Sequence, residues 1–141
     1  VGAIQSRKTE RIFELCDEIH SIDRIKIVKK IKELEKKSGV TKKYYIQVNT
    51  GDELQKSGVK MSEVDEFIHA AQSKYNFSIH GLMCLPPQTD EPNKHFLELK
   101  SIAQKHSIYN LSMGMSGDYE EAINCGSTHL RLGTVIFGAR N

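Results

Sequence analysis

The sequence predicts an α/β fold of parallel strands, the C-terminal portion of a (β/α)8 TIM-type barrel, and three observations carry that expectation. First, short apolar segments that read as strands alternate with longer segments whose apolar residues recur at helical spacing. That alternation is the pattern of right-handed βαβ units and a parallel sheet. Second, the last third holds two glycine- and hydroxyl-containing segments, residues 111–116 and 126–134, each reading as a short strand that empties into a small loop. Glycine lets a backbone approach an anion closely, and hydroxyls with free backbone N–H groups supply the donors a phosphate needs. In (β/α)8 barrels the common phosphate site is built from the loops after strands seven and eight. Third, a flavodoxin-like sheet also fits 141 residues, but it places its phosphate loop after the first strand, whereas here these loops come last.

Taken in order, Val1-Gly2-Ala3-Ile4 reads as the stump of a strand and residues 7–16 as a helix. Residues 18–22 form a short strand, after which Asp23 is placed to cap a helix through Lys37 with Ile27, Val28, Ile31 and Leu34 on its apolar face. Residues 44–49 are a better strand, rich in aromatic and β-branched types and ended by Asn49 and Gly51. Ser62 and Asp65 give a capping-box-like start to a helix with Val64, Phe67, Ile68 and Ala71 inward. The next strand, residues 77–85, is closed by Pro86 and Pro87, which cannot continue a ladder. A helix over residues 92–106 buries Phe96, Leu99, Ile102 and Ala103, and Asp118 and Glu121 cap a helix running to Cys125. A final strand spans residues 128–137. The count is at most five complete strand–helix repeats in a single domain, residues 1–141, whereas a closed barrel typically takes about 250 residues.

Composition excludes several classes. A net charge of +2 makes no case for nucleic acid or an anionic membrane surface as partner. The basic stretch from Arg24 to Lys43 is interrupted by Glu33 and Glu35 and reads as a solvated helix face. No apolar run approaches membrane-spanning length and no signal peptide opens the chain. The three cysteines, Cys16, Cys84 and Cys125, lack metal-ligand spacing and fit small core residues in a reducing, cytoplasmic setting. The six histidines show no pair at helical metal spacing. His20, Ser21 and Asp23 carry the residue types of a catalytic set, but strand neighbours point to opposite faces, so capping is the better account. No Gly-x-Gly-x-x-Gly or Walker loop occurs, which argues against dinucleotides and nucleoside triphosphates.

Several motifs then match one family in order. Gly2-Ala3-Ile4-Gln5-Ser6-Arg7-Lys8, His20-Ser21-Ile22-Asp23, Gln47-Val48-Asn49-Thr50-Gly51 and Lys56-Ser57-Gly58 are followed by Gly81-Leu82-Met83-Cys84-Leu85-Pro86-Pro87. Leu111-Ser112-Met113-Gly114-Met115-Ser116 and Gly126-Ser127-Thr128-x-x-Arg131-x-Gly133-Thr134-x-x-Phe137-Gly138 complete the series. The chain resembles, over its whole length, the pyridoxal phosphate homeostasis proteins, single-domain relatives of the alanine racemase N-terminal barrel. The resemblance implies pyridoxal 5'-phosphate as cofactor. Its phosphate would be held by Met115, Ser116, Gly133 and Thr134, the residues the loop argument selects independently. It also implies that Arg131 faces the pyridine nitrogen and that Asn49 and Met83 line the ring. A permanently protonated guanidinium disfavours a pyridinium, so the ring loses much of its power as an electron sink. Arg7 departs from the family's usual asparagine.

The family's Schiff-base lysine lies in an Ala-Val-Ser-Lys-like segment that nothing here matches, and Lys8 and Lys56 are the nearest candidates by motif position. The first two strands of the family's barrel are likewise unmatched, and the chain opens on Val1, so it is expected to begin inside a longer product and to bind the cofactor weakly or not at all. Two readings follow. One is a non-catalytic carrier in intracellular cofactor homeostasis, with pyridoxal phosphate-dependent enzymes as recipients, no metal and no membrane. The other is a racemase-like enzyme acting on amino acids. Such an enzyme needs a second, β-rich domain carrying a catalytic tyrosine, and the chain stops at Asn141, which favours the carrier. The full-length product is expected to be monomeric, and a chain with open barrel edges to self-associate.

Overall fold

Alternate strand positions carry the apolar side chains that set the layers, as period-2 patterning requires. The computed structural model describes residues 2–139. A 3-10 turn at Ser6–Lys8 leads into α1 (Thr9–Leu15), β1 (Glu18–Ile22), α2 (Ile25–Ser38) and β2 (Lys43–Asn49). There follow a two-residue strand β3 (Val59–Lys60), α3 (Val64–Tyr75), β4 (Gly81–Cys84) and α4 (Pro92–Lys105). The chain continues through β5 (Asn110–Met115), α5 (Tyr119–Asn124), β6 (His129–Arg131) and α6 (Thr134–Phe137). One sheet runs in the order β1-β2-β4-β5-β6 with β3 beside the end of β2, and every pairing is parallel. Spatial order therefore follows chain order, with no reversal at which a doubly wound sheet would place helices on its second face. This is a parallel-strand half-barrel, with helices outside and a concave face within.

Strand residues Ile19, Ile22, Tyr44, Ile46, Val48, Leu82, Cys84, Leu111 and Met113 meet Ile27, Val28, Ile31, Ile68, Ala71, Phe96, Leu99 and Ala122 of the helices in one apolar cluster. Tyr44 stacks on Phe77 with ring centres 4.8 Å apart. Its hydroxyl donates to Glu35 Oε1 at 2.9 Å, while Lys32 Nζ lies 2.6 Å from the same carboxylate. Glu35 is thus buried and paired, not part of a solvated face, because its helical turn brings it over β2. Tyr45 and Met83 are also fully buried but stand outside that cluster, since their alternate positions face the concave side.

Several local expectations need correction. Asp23 does not cap α2: Arg24, extended at φ −157° and ψ 149°, occupies the cap position, and the Asp23 carboxylate takes the Arg24 guanidinium at 2.5 Å instead. Ser62 and Asp65 form no capping box, because Glu63 is the residue before α3 and Asp65 accepts from Lys105 and, at 2.6 Å, from His106 Nε2. Asp118 precedes α5, yet its carboxylate accepts the backbone N–H of Met115 at 2.6 Å and closes the turn after β5. Within residues 77–85 only Gly81–Cys84 joins the ladder. The final strand ends at Arg131, and Thr134–Phe137 coils into α6, leaving Phe137 exposed. In the stump at the start, Ile4 is buried without joining a strand, and Val1 lies outside the described residues.

Candidate functional site

The concave face is built from one register row. Gln47 pairs with Met83, Met83 with Ser112, and Ser112 with His129, so four strands aim these side chains inward together. In the neighbouring row Tyr45 lies opposite Gly81, where the missing Cβ admits its ring. That ring stacks on His20 at 3.8 Å, and its hydroxyl sits 3.3 Å from His129 Nε2. Between β5 and β6 the register slips from Ser112↔His129 to Met115↔Arg131. The extra residue is accommodated by Gly114 at φ +99°, where a Cβ would meet Ala122 at 2.7 Å and Leu130 at 2.8 Å.

Arg131 enters the floor of this face. Its Nη1 donates to Ser112 Oγ at 2.7 Å and its Nη2 to the Cys84 carbonyl at 2.8 Å, while its Nε is buried without a partner. Both partners are neutral, so among the described residues Arg131 is not the half of an internal ion pair. Burial lowers its pKa, an effect partly opposed by Cys84 and Asp118. Ser112 Oγ also lies 2.9 Å from His20 Nδ1, and His20 Nε2 lies 3.2 Å from Glu18 Oε2. The Lys43 hydrogen bond, chiefly, holds Glu18 down at about 2, and burial pushes His20 below its ordinary value. Burial raises the Cys84 thiol to about 12 and the Tyr45 hydroxyl to about 12.

Above this floor the loops after β5 and β6 meet. Ser116 Oγ accepts the backbone N–H groups of Gly133 at 3.1 Å and Val135 at 3.3 Å. The Ser116 hydroxyl thereby caps the first turn of α6 from a neighbouring loop. Thr134 stands between the two donors, and nothing lies within 4 Å of where a Gly133 Cβ would be. The loops after β5 and β6, which carry Met115, Ser116, Gly133 and Thr134, thus meet at the carboxyl ends of adjacent parallel strands, with Arg131 at the end of β6. A cleft of 710 Å3 opens beside them between the loops after β2, β4 and β5, lined in part by Lys56, Pro86, Met115 and Asp118.

The other expected residues divide. Met83 lies on the concave floor between Gln47 and Ser112. Asn49 ends β2, but its carboxamide is engaged locally, donating to the Glu53 carbonyl at 2.8 Å and accepting the Glu53 N–H at 3.3 Å. Lys8 is exposed in the 3-10 turn, and Lys56 Nζ is taken up by Glu53 at 2.6 Å and the Pro86 carbonyl at 3.3 Å. Two lysines share the inward strand parity: Lys43 starts β2 at the end away from the loops and pairs with Glu18 at 2.7 Å, and Lys60 of β3, in register with Asn49, is exposed. Glu18, His20, Tyr45, Ser112 and His129 are the residues that sequence reasoning missed. Their signal is polar or aromatic residues at alternate positions of otherwise apolar strands.

A parallel half-barrel with two loops meeting at its carboxyl edge and an arginine on its concave floor has the architecture of part of a (β/α)8 barrel. The chain belongs to the family of the alanine racemase N-terminal domain, whose model matches residues 1–141. It is 38% identical over 149 residues to the pyridoxal phosphate homeostasis protein of Vibrio alginolyticus, covering 100% of this chain and 64% of that protein. The chain therefore spans a little under two thirds of that curated relative. PipY of Synechococcus elongatus PCC7942 superposes with a TM-score of 0.89 at 26% identity in its structure without PLP, over 98% of this chain and 69% of PipY. In its structure with PLP bound the TM-score is 0.84 at 26% identity, over 98% of this chain and 68% of PipY.

Proposed function

We propose that this chain binds pyridoxal 5'-phosphate at the carboxyl end of its half-barrel and serves intracellular cofactor homeostasis as a non-catalytic carrier. The observation that carries the reading is the convergence of Ser116 Oγ with the Gly133 and Val135 N–H groups over the Arg131 floor. The donor set fits the group: the Ser116 and Thr134 hydroxyls are donors that suit a phosphate dianion, and the unpartnered Arg131 Nε is a buried donor available to a ring acceptor. Ser116, Gly133 and Thr134 would hold the phosphate with Met115 beside it, Arg131 would face the pyridine nitrogen, and Met83 and Asn49 would line the ring. When bound, the cofactor supplies an aldehyde and an electron-accepting ring. A guanidinium cannot give up its proton to the pyridine nitrogen, so Arg131 keeps that ring unprotonated and weakens it as an electron sink, which suits storage over turnover. The relatives' name and the PLP-bound PipY structure support the same ligand.

Titration of the chain with pyridoxal phosphate, followed by absorbance, tests this. Ser116→Ala and Thr134→Ala are each expected to weaken binding by about tenfold, the equivalent of one hydrogen bond to a charged group. Unaltered affinity in both variants overturns the assigned cup. Incubation of the loaded chain with L-alanine separates carrier from racemase: no D-alanine is expected, and its formation overturns the carrier reading.

A further inference from the structure

We infer that Ser112 and His20 are positioning residues for Arg131, and that Glu18 is the guanidinium's counter-charge at two removes, through one ordered chain of hydrogen bonds. The chain runs Arg131 Nη1–Ser112 Oγ at 2.7 Å, Ser112 Oγ–His20 Nδ1 at 2.9 Å and His20 Nε2–Glu18 Oε2 at 3.2 Å. A guanidinium only donates and an ionised carboxylate only accepts, so the two ends settle every proton between them. Arg131 donates to Ser112, the Ser112 hydroxyl donates to Nδ1 of a neutral His20, and Nε2–H donates to Glu18. Protonation of His20 breaks the order, because Nδ1–H would then compete with Arg131 for the Ser112 oxygen.

The groups facing His20 agree with the neutral form. Glu18 lies on its own strand, and Lys43 of β2 holds that carboxylate at 2.7 Å. The Tyr45 ring of β2 covers one face of the imidazole, and His129 of β6 stands with its ring centre 5.9 Å away. Arg131, also of β6, adds a fixed positive charge beyond Ser112. Burial on this floor raises the cost of a second cation, and Glu18 offsets only part of it.

The arrangement has a consequence for the site, which rests on the assignment of Arg131 to the pyridine nitrogen. A carboxylate in contact with the guanidinium would neutralise it and compete for its donors. Relaying the carboxylate through a hydroxyl and an imidazole holds the Arg131 plane while leaving its charge and its free N–H groups for the ring. The Cys84 carbonyl supplies the second fixed point, at 2.8 Å from Nη2.

Nitrogen-15 NMR of the ligand-free full chain tests the order without reference to the cofactor. At pH 7 the parent is expected to show His20 protonated on Nε2 alone, with Nδ1 in the hydrogen-bonded acceptor range. In Ser112→Ala the Nδ1 resonance should move to that of a free imidazole, and the Arg131 Nη–H groups should exchange about tenfold faster. Ser112→Thr should restore both, whereas a purely space-filling role predicts no change in the ring nitrogens. A parent His20 protonated on Nδ1 overturns the proposal with no variant needed, as does unchanged Arg131 exchange in Ser112→Ala. With ligand, Ser112→Ala should weaken pyridoxal phosphate by about tenfold and leave inorganic phosphate affinity unchanged, since only the ring meets Arg131. Equal loss for both ligands, or none for either, overturns the positioning role. Failure of the cup itself shows separately, as pyridoxal phosphate binding indifferent to Ser116→Ala.

Discussion

Gly81→Ala tests the packing that supports the concave floor. A Cβ at this position would lie 2.3 Å from Tyr45 Cε1, 2.4 Å from Cδ1 and 2.6 Å from the Asn110 carbonyl oxygen. The carbonyl belongs to the paired residue of β5, so it moves only if the β4–β5 ladder opens. The Tyr45 ring is fully buried and backed by His20 at 3.8 Å, so it has no free space to swing into. Overpacking of this kind costs about 1–3 kcal/mol, and a backbone contact places this case near the upper end. At about 2–4 °C per kcal/mol, the melting midpoint should fall by about 6–12 °C. Thermal melting by circular dichroism measures it, and a double-mutant cycle with Tyr45→Leu assigns the cause. Removing the ring should recover about 1–2 kcal/mol of the loss as coupling between the two sites. A Gly81→Ala chain that melts with the parent, or strictly additive variants, would refute the close-approach argument.

The remaining expectations concern titration and reactivity. Glu18 is held below its ordinary 4.5, at about 2, so the stability it contributes is present above about pH 4.5 and fades toward pH 2. His20 is depressed below 6.5, so the folded chain binds its proton less readily than the unfolded chain, and stability falls as pH drops below 6.5. Urea midpoints measured across pH 3–8 should therefore fall on the acid side, with Glu18→Gln and His20→Gln each flattening its own part; parallel profiles would contradict the assignment. With its thiol raised to about 12 by burial, Cys84 should resist a disulfide reagent at pH 8 while half-exposed Cys16 reacts at once. Borohydride treatment with pyridoxal phosphate should leave no specific adduct, because Lys43 and Lys56 are ion-paired and Lys8 is exposed in the 3-10 turn. A single modified lysine in high yield refutes that.

Much of the fold is legible along the chain. The four apolar residues of α2 read at helical spacing are all buried, and β1 falls on the segment named for it. Boundaries were less legible where a side chain had two uses. Asp23, Asp65 and Asp118 all have the chemistry of caps, yet each carboxylate is drawn to a nearby guanidinium, a distant ammonium and imidazole, or a preceding N–H. Val135, Ile136 and Phe137 have strand character, but two backbone N–H groups in that stretch are satisfied by Ser116, and the segment coils.

The sequence by itself determined the alternation of strand and helix and the parallel half-barrel, and it singled out the loops after β5 and β6, because each depends on local periodicity or on glycine and hydroxyl types at strand ends. Only the tertiary structure decided what surrounds Arg131. Ser112 is separated from His20 by 92 residues, and the register slip at Gly114 brings Arg131 onto the same hydroxyl. No local pattern encodes a hydrogen-bonded chain that crosses from β6 through β5 to β1. It exists because the sheet curves until strands far apart in sequence, and not paired with one another, face across a common floor.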